Sequence, residues 1–97
     1  MIEVKKAPVD RLPYPVDWSS WLDEGELIVD SQWATSPSGE LVLEDSSVSA
    51  GTGTEVWIHG GVDGVPYIVS NTITTDSTPI QKIKVKSFIL LVKAPAL

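Results

Sequence analysis

A chain of 97 residues with no cysteine and a single histidine is one domain with one core, and it excludes disulfide scaffolds, thiolate metal sites and thiol nucleophiles. The formal net charge is −6, and the seven basic residues lie near the ends (Lys5, Lys6, Arg11, Lys82, Lys84, Lys86, Lys93) while eleven of the thirteen acids fall between Leu12 and Gln81. An acidic body repels phosphate, which argues against nucleic acid as a partner, and the longest apolar run, Phe88 to Val92, falls far short of a bilayer span.

Residues 1–13 read as an extended N-terminal arm. Pro8 and Pro13, with Pro15 close behind, fix φ and remove ladder donors. About 15 extended residues reach roughly 45 Å. The lysines at the start are not followed by an apolar stretch, so this is not a signal peptide. Residues 14–93 read as the folded domain and residues 94–97 as a short C-terminal tail.

Trp18 to Leu22 is predicted as one helical turn, with Asp17 as its cap. Glu26 to Trp33 alternates, placing Leu27, Val29, Ser31 and Trp33 on one face of a strand. Ser36-Pro37-Ser38-Gly39 is a turn. Leu41 to Glu44 is a short strand, and Ser46 to Ser49 a second one that ends at Gly51-Thr52-Gly53. Thr54 to His59 puts Val56 and Ile58 on one face, Trp57 and His59 on the other. Gly60 to Gly64 is a turn. Tyr67 to Thr75 carries Tyr67, Val69, Asn71 and Ile73 on one face. Asp76 to Pro79 is a hairpin connection.

The final strand, Gln81 to Lys93, changes along its length. Its first half alternates, with Ile83 and Val85 opposite Lys82, Lys84 and Lys86, and the lysines are expected to face out as a guard against edge-to-edge pairing. Its second half is apolar on both faces, because Phe88, Leu90 and Val92 join Ile89 and Leu91. Either the arm or another chain then covers it.

About seven short strands with turns at regular intervals bury one face each most simply as two packed antiparallel sheets. The predicted fold is all-β, an immunoglobulin-like antiparallel β-sandwich with an extended N-terminal arm. It has no Cys-Trp-Cys framework of an antibody domain.

Catalytic patterns are missing from the sequence. His59 has no sequence partner for general-base work. No Gly-x-Ser-x-Gly elbow occurs. Gly60-Gly61 with Gly64 has neither the lysine nor the helix of a phosphate loop. Asp23, Glu24 and Glu26, and the pair Glu44-Asp45, read as exposed turn acids, with calcium held between loops as the alternative. The expectation is a protein that is not an enzyme and needs neither cofactor nor metal.

What remains is binding. The acidic body is either a solvated surface or one pole of a bipolar subunit facing a basic surface. Each tryptophan taken singly reads as core, but an exposed one is a strong interface anchor. The candidate partner-contacting residues are Lys5, Lys6 and Tyr14 in or beside the arm, the tryptophans Trp18, Trp21 and Trp57, and Lys82, Lys84, Lys86 and Phe88 in the last strand.

Three segments carry a family resemblance. Pro15-Val16-Asp17-Trp18-Ser19-Ser20-Trp21-Leu22 gives VDWSxWL, Glu55 to Gly61 gives VWxxGG, and Tyr67 to Thr75 gives YxVxNxITT. In this order, over residues 14–90, they resemble the phage fiber-tail adaptor family, small β-sandwich virion proteins of tailed bacteriophages. The first motif is the most distinctive; the other two are also patterns of sandwich strands and turns in general. The family's acid- and arginine-containing hairpin is replaced here by Asp76-Ser77-Thr78-Pro79 and lysines.

The resemblance implies a structural protein of the tail or neck, present in several copies, that links the tail tube or nozzle to fibers or neighbouring subunits. Its partners would be sister subunits in a ring together with tail and fiber proteins, with neither nucleic acid nor membrane involved. Its place would be the virion, after assembly in the host cytoplasm. The alternatives are a capsid decoration protein and a carbohydrate-binding module using Trp57 or Trp21 as a stacking platform.

Overall fold

The computed structural model describes residues 2–95; Met1 and residues 96–97, the end of the expected tail, lie outside the described residues. The strands in chain order are β1 (Glu3–Lys6), β2 (Leu12–Asp17), β3 (Ile28–Ser36), β4 (Leu41–Ser49), β5 (Gly53–Gly60), β6 (Pro66–Thr75) and β7 (Ile83–Val92), with no helix among the described residues. One sheet has the order β1-β7-β6-β3 and the other β2-β5-β4. Every pairing is antiparallel except β1 with β7, which is parallel and sets Val4 beside Leu90.

Period-two alternation builds the core. In β6 the residues Tyr67, Val69, Asn71, Ile73 and Thr75 are all buried, and in β5 Thr54, Val56 and Ile58 are. Tyr67, Val69, Leu90 and Val92 of one sheet meet Tyr14, Leu41, Val56 and Ile58 of the other. A second cluster, Val16, Trp18, Ile28 and Ile73, fills one end, and Trp33 packs against both. The all-β sandwich expected from the alternation is the fold observed.

Four expectations about the strands and the arm differ from the structure. The first concerns the arm. Residues 3–6 form β1, and Leu12 and Pro13 open β2, so the segment is extended but paired within the sheets. A tight turn carries the chain from one sheet to the other: Asp10 N–H donates to the Ala7 carbonyl (3.1 Å) and Ala7 N–H to the Asp10 carboxylate (3.0 Å). The prolines are compatible because of their phase. Trp18 N–H donates to Thr52 across the ladder (2.9 Å), so even-numbered residues of β2 face β5. Pro13 and Pro15 face the free edge, where no donor is needed.

The second difference is in β3. A bulge between Ile28 and Asp30 shifts the alternation, so Ile28 is buried while Leu27 and Val29 are exposed. The third is in β4, where the two short strands are one strand broken by a bulge between Glu44 and Ser47, with Asp45 at φ 52°. The fourth is in β7. Leu90 and Val92 are fully buried, and period two then places Lys84 and Lys86 on the same inward side, while Ile83 (71% exposed) and Val85 (59% exposed) face solvent. The lysines therefore do not point outward. Their stems run past the end of the core, and their ammonium groups lie over the Trp21 ring at 5.8 and 6.0 Å.

Candidate interaction surfaces

The ten candidate contact residues divide by burial. Lys6, Tyr14 and Trp18 lie inside the fold, which corrects the expectation that they reach a partner. The Lys6 ammonium donates to the carbonyls of Ala7 (2.7 Å), Pro8 (3.3 Å) and Gly60 (2.7 Å), tying β1 to the β5–β6 turn. Burial pushes its pKa down, and Asp10 opposes this in part. Tyr14 stacks on Phe88 with ring centroids 6.0 Å apart; its hydroxyl is buried without a partner and burial pushes its pKa up.

Trp18 is the centre of a buried polar network. Its indole N–H donates to Asn71 Oδ1 (2.9 Å) and, more weakly, to Thr54 Oγ1 (3.3 Å). Thr54 Oγ1 donates to the same Asn71 oxygen (2.6 Å). The Asn71 amide donates to Ser31 Oγ (2.9 Å) and to the Gln32 carbonyl (3.0 Å). One amide of β6 thus joins β3, β5 and the residue that follows β2, across both sheets.

Trp21 is 47% exposed and meets Trp18 edge-to-face at 6.0 Å. It sits on a hydrogen-bonded turn rather than a helix, with Trp21 N–H on the Trp18 carbonyl (2.8 Å) and Ser19 N–H on the Asp17 carboxylate (2.9 Å). That backbone bond holds the Asp17 carboxyl below its usual range. Lys82 pairs with Asp23 and lies 3.6 Å from Glu26. Its hydrogen bond to Asp23 raises the Lys82 pKa and lowers that of Asp23, while the Asp23 backbone N–H lowers that of Glu26. Lys84 donates to the Trp21 carbonyl.

Trp57 is half-buried on the outer face of the three-stranded sheet. Arg11 lies over its ring at 5.9 Å and also pairs with Glu44 (2.6 Å) and Asp45 (3.2 Å). Glu44 is 3.5 Å from His59. Lys5 is exposed on the outer face of β1. Among the described residues no group of three or more His, Cys, Asp or Glu could hold a metal ion.

The outer face of the four-stranded sheet was missed from the sequence. Ile68, Ser70, Thr72 and Thr74 of β6 lie opposite Ile89, Ser87, Val85 and Ile83 of β7. Those two outward rows hold no charged residue. Ile68 is 43% exposed, and a Ser70–Ser87 hydroxyl pair at 2.8 Å links the rows. The signal was present in the lysine pattern: residues alternating with Lys82, Lys84 and Lys86 occupy the opposite side.

A family model for the podophage GP4 fiber-tail adaptor protein gp77 matches residues 6–90. The chain belongs to this fiber-tail adaptor family. No curated protein shows significant similarity to it. As a member of the fiber-tail adaptor family it is a structural protein of the bacteriophage tail, located in the virion tail and interacting with other tail and fiber proteins. The three motifs of the adaptor sequence are framework: Trp18 and Asn71 build the polar network, and Gly61 lets β5 turn against Val92.

Proposed function

We propose that this adaptor joins the tail tube or nozzle to fibers or to neighbouring subunits, several copies side by side, and that its outer four-stranded sheet face is a principal contact. The carrying observation is the uncharged outward pair of rows on β6 and β7, with Ile83, Val85 and Ile68 exposed. An uncharged strip of isoleucine, valine, serine and threonine left open on a small acidic protein suits burial against a partner. Charged substitutions there leave the core intact, so they separate binding from folding.

The test is complementation. Phage lacking the gene is grown with the wild-type chain or with Val85→Asp, and particles are imaged by cryo-electron microscopy. Wild-type density is expected at the tail, between tube and fibers, and lost or depleted for Val85→Asp while the free variant stays folded by circular dichroism. Density on the head instead would refute the reading in favour of capsid decoration.

A further inference from the structure

β1 covers only part of β7. Ile89 N–H donates to the Ile2 carbonyl and Lys93 N–H to the Lys6 carbonyl, both at 2.8 Å. Odd-numbered residues of β7 therefore turn their backbone groups toward β1. Even-numbered ones face β6: Val92 N–H donates to Val65 (3.2 Å), and the Lys82 carbonyl accepts from Thr75 (2.9 Å). The pairing with β1 begins at Ile89. Ile83, Val85 and Ser87 consequently present N–H and C=O groups to an edge with no partner strand among the described residues.

The other edges differ in how open they are. Pro13 and Pro15 strip the donors from β2, a mid-strand bulge interrupts β4, and the edge strand β3 carries a bulge at its start and Pro37 directly after its end. Beside the open β7 edge runs a groove of about 420 Å³ toward β2, lined by Ile2, Val4, Tyr14, Val16, Lys86 and Phe88 among others. Lys86 has no ion-pair partner among the described residues. Two such edges do not suit each other, because antiparallel self-pairing centred on Val85 sets Lys84 of one copy against Lys86 of the other.

We propose that the edge Ile83–Ser87 is a docking slot for an extended segment of a partner chain, with carboxylates on the Lys84 and Lys86 side and apolar side chains on the Ile83 and Val85 side. This rests on the adaptor reading above and names where one neighbour is held. The segment adds a strand to the four-stranded sheet. Backbone hydrogen bonds attach it, the two lysines select an acidic strand, and its apolar side chains continue the strip on the outer face.

The test titrates the full chain with two capped peptides, Val-Glu-Val-Glu-Val and Val-Lys-Val-Lys-Val, and follows amide exchange by NMR. The acidic peptide at millimolar concentration is expected to slow exchange at Ile83, Val85 and Ser87 by about tenfold, and the basic one to leave it unchanged. Val85→Pro removes an outward donor that β6 does not use, and abolishes the effect. Replacing both lysines, Lys84→Glu with Lys86→Glu, keeps the edge and reverses the preference between peptides. Thermal unfolding of both variants without peptide verifies that they are folded.

No slowing at these amides in the wild-type chain overturns the proposal, as does slowing that survives Val85→Pro, or an equal response to both peptides. Concentration-dependent slowing without peptide assigns the edge to a second copy and overturns it too. In the phage experiment, Val85→Pro particles indistinguishable from wild type sink the slot and leave the adaptor reading standing. Wild-type density away from the tail sinks the adaptor reading itself.

Discussion

Replacing Asn71 by leucine tests whether the buried amide network holds the two sheets together. Asn71 is fully buried and makes four hydrogen bonds, to Trp18, Thr54, Ser31 and Gln32. Leucine keeps the branched shape and leaves no cavity, but its methyl groups need longer contacts than the hydrogen bonds they replace, so a small overpacking cost adds to the lost bonds. The Trp18 indole keeps only its longer contact to Thr54 (3.3 Å). Thr54 loses its 2.6 Å acceptor. Ser31 is half-buried and finds water.

Two buried groups thus lose their best partners, at about 1–3 kcal/mol each. Burying a more apolar side chain offsets roughly 1 kcal/mol of this. The expected net loss is about 1–5 kcal/mol, which for a domain of this size lowers Tm by roughly 5–25 °C. Urea unfolding followed by tryptophan fluorescence and near-ultraviolet circular dichroism measures it, with the slope m unchanged because the surface exposed on unfolding is the same. A double cycle with Trp18→Phe isolates the indole–amide coupling. If Asn71→Leu costs less than about 0.5 kcal/mol, the network is not what couples the sheets and the argument fails.

Gly61→Ala is expected to destabilise by about 1–3 kcal/mol in chemical denaturation, because the new methyl meets Val92 (2.7 Å) and Leu41 (3.0 Å) and the residue sits at φ +97°. Lys6→Met keeps the stem but removes the ammonium from its carbonyls; amide exchange at Ile89 and Lys93, which bond to β1, is expected to accelerate more than exchange in β5. Asp17, Asp23 and Glu26 all have folded pKa values below their usual range, so their contribution is present above about pH 4 and disappears as pH falls through the folded values. Stability measured across that window is expected to fall with acidification, and less steeply in Glu26→Gln. Lys82, whose folded pKa is raised, contributes below its unfolded value near about 10.4 and loses that contribution as pH rises through the folded one.

The sequence was most legible where one strand buries one full face. Tyr67, Val69, Asn71 and Ile73 alternate without interruption, and β6 is the central strand those residues predict. It was least legible where alternation carries no information about phase. In β7 the lysines and the isoleucine–valine series are equally regular, and only the full burial of Leu90 and Val92 decides which side faces in. The bulges of β3 and β4 are invisible for a related reason: one inserted residue in Val-Asp-Ser or Glu-Asp-Ser costs little locally, and its position is set by the partner strand. Proline misled for residues 1–13 because it reports an extended backbone, and an extended backbone fits a free arm and an edge strand alike.

The prolines and the lysines have different consequences for assembly. At Pro13 and Pro15 the free edge of β2 lacks the donors that a neighbouring strand needs, so no side-chain chemistry on a partner makes that edge pair. At β7 every donor from Ile83 to Ser87 is intact, and the lysines set a charge condition on pairing. Charge discriminates where proline only forbids: it repels a second copy of the same edge and attracts a carboxylate. The uncharged outer strip of the same sheet begins at Ile83 and Val85 and so meets that edge directly. A strand added there lengthens the uncharged face it borders, and the two proposed contacts become one continuous surface.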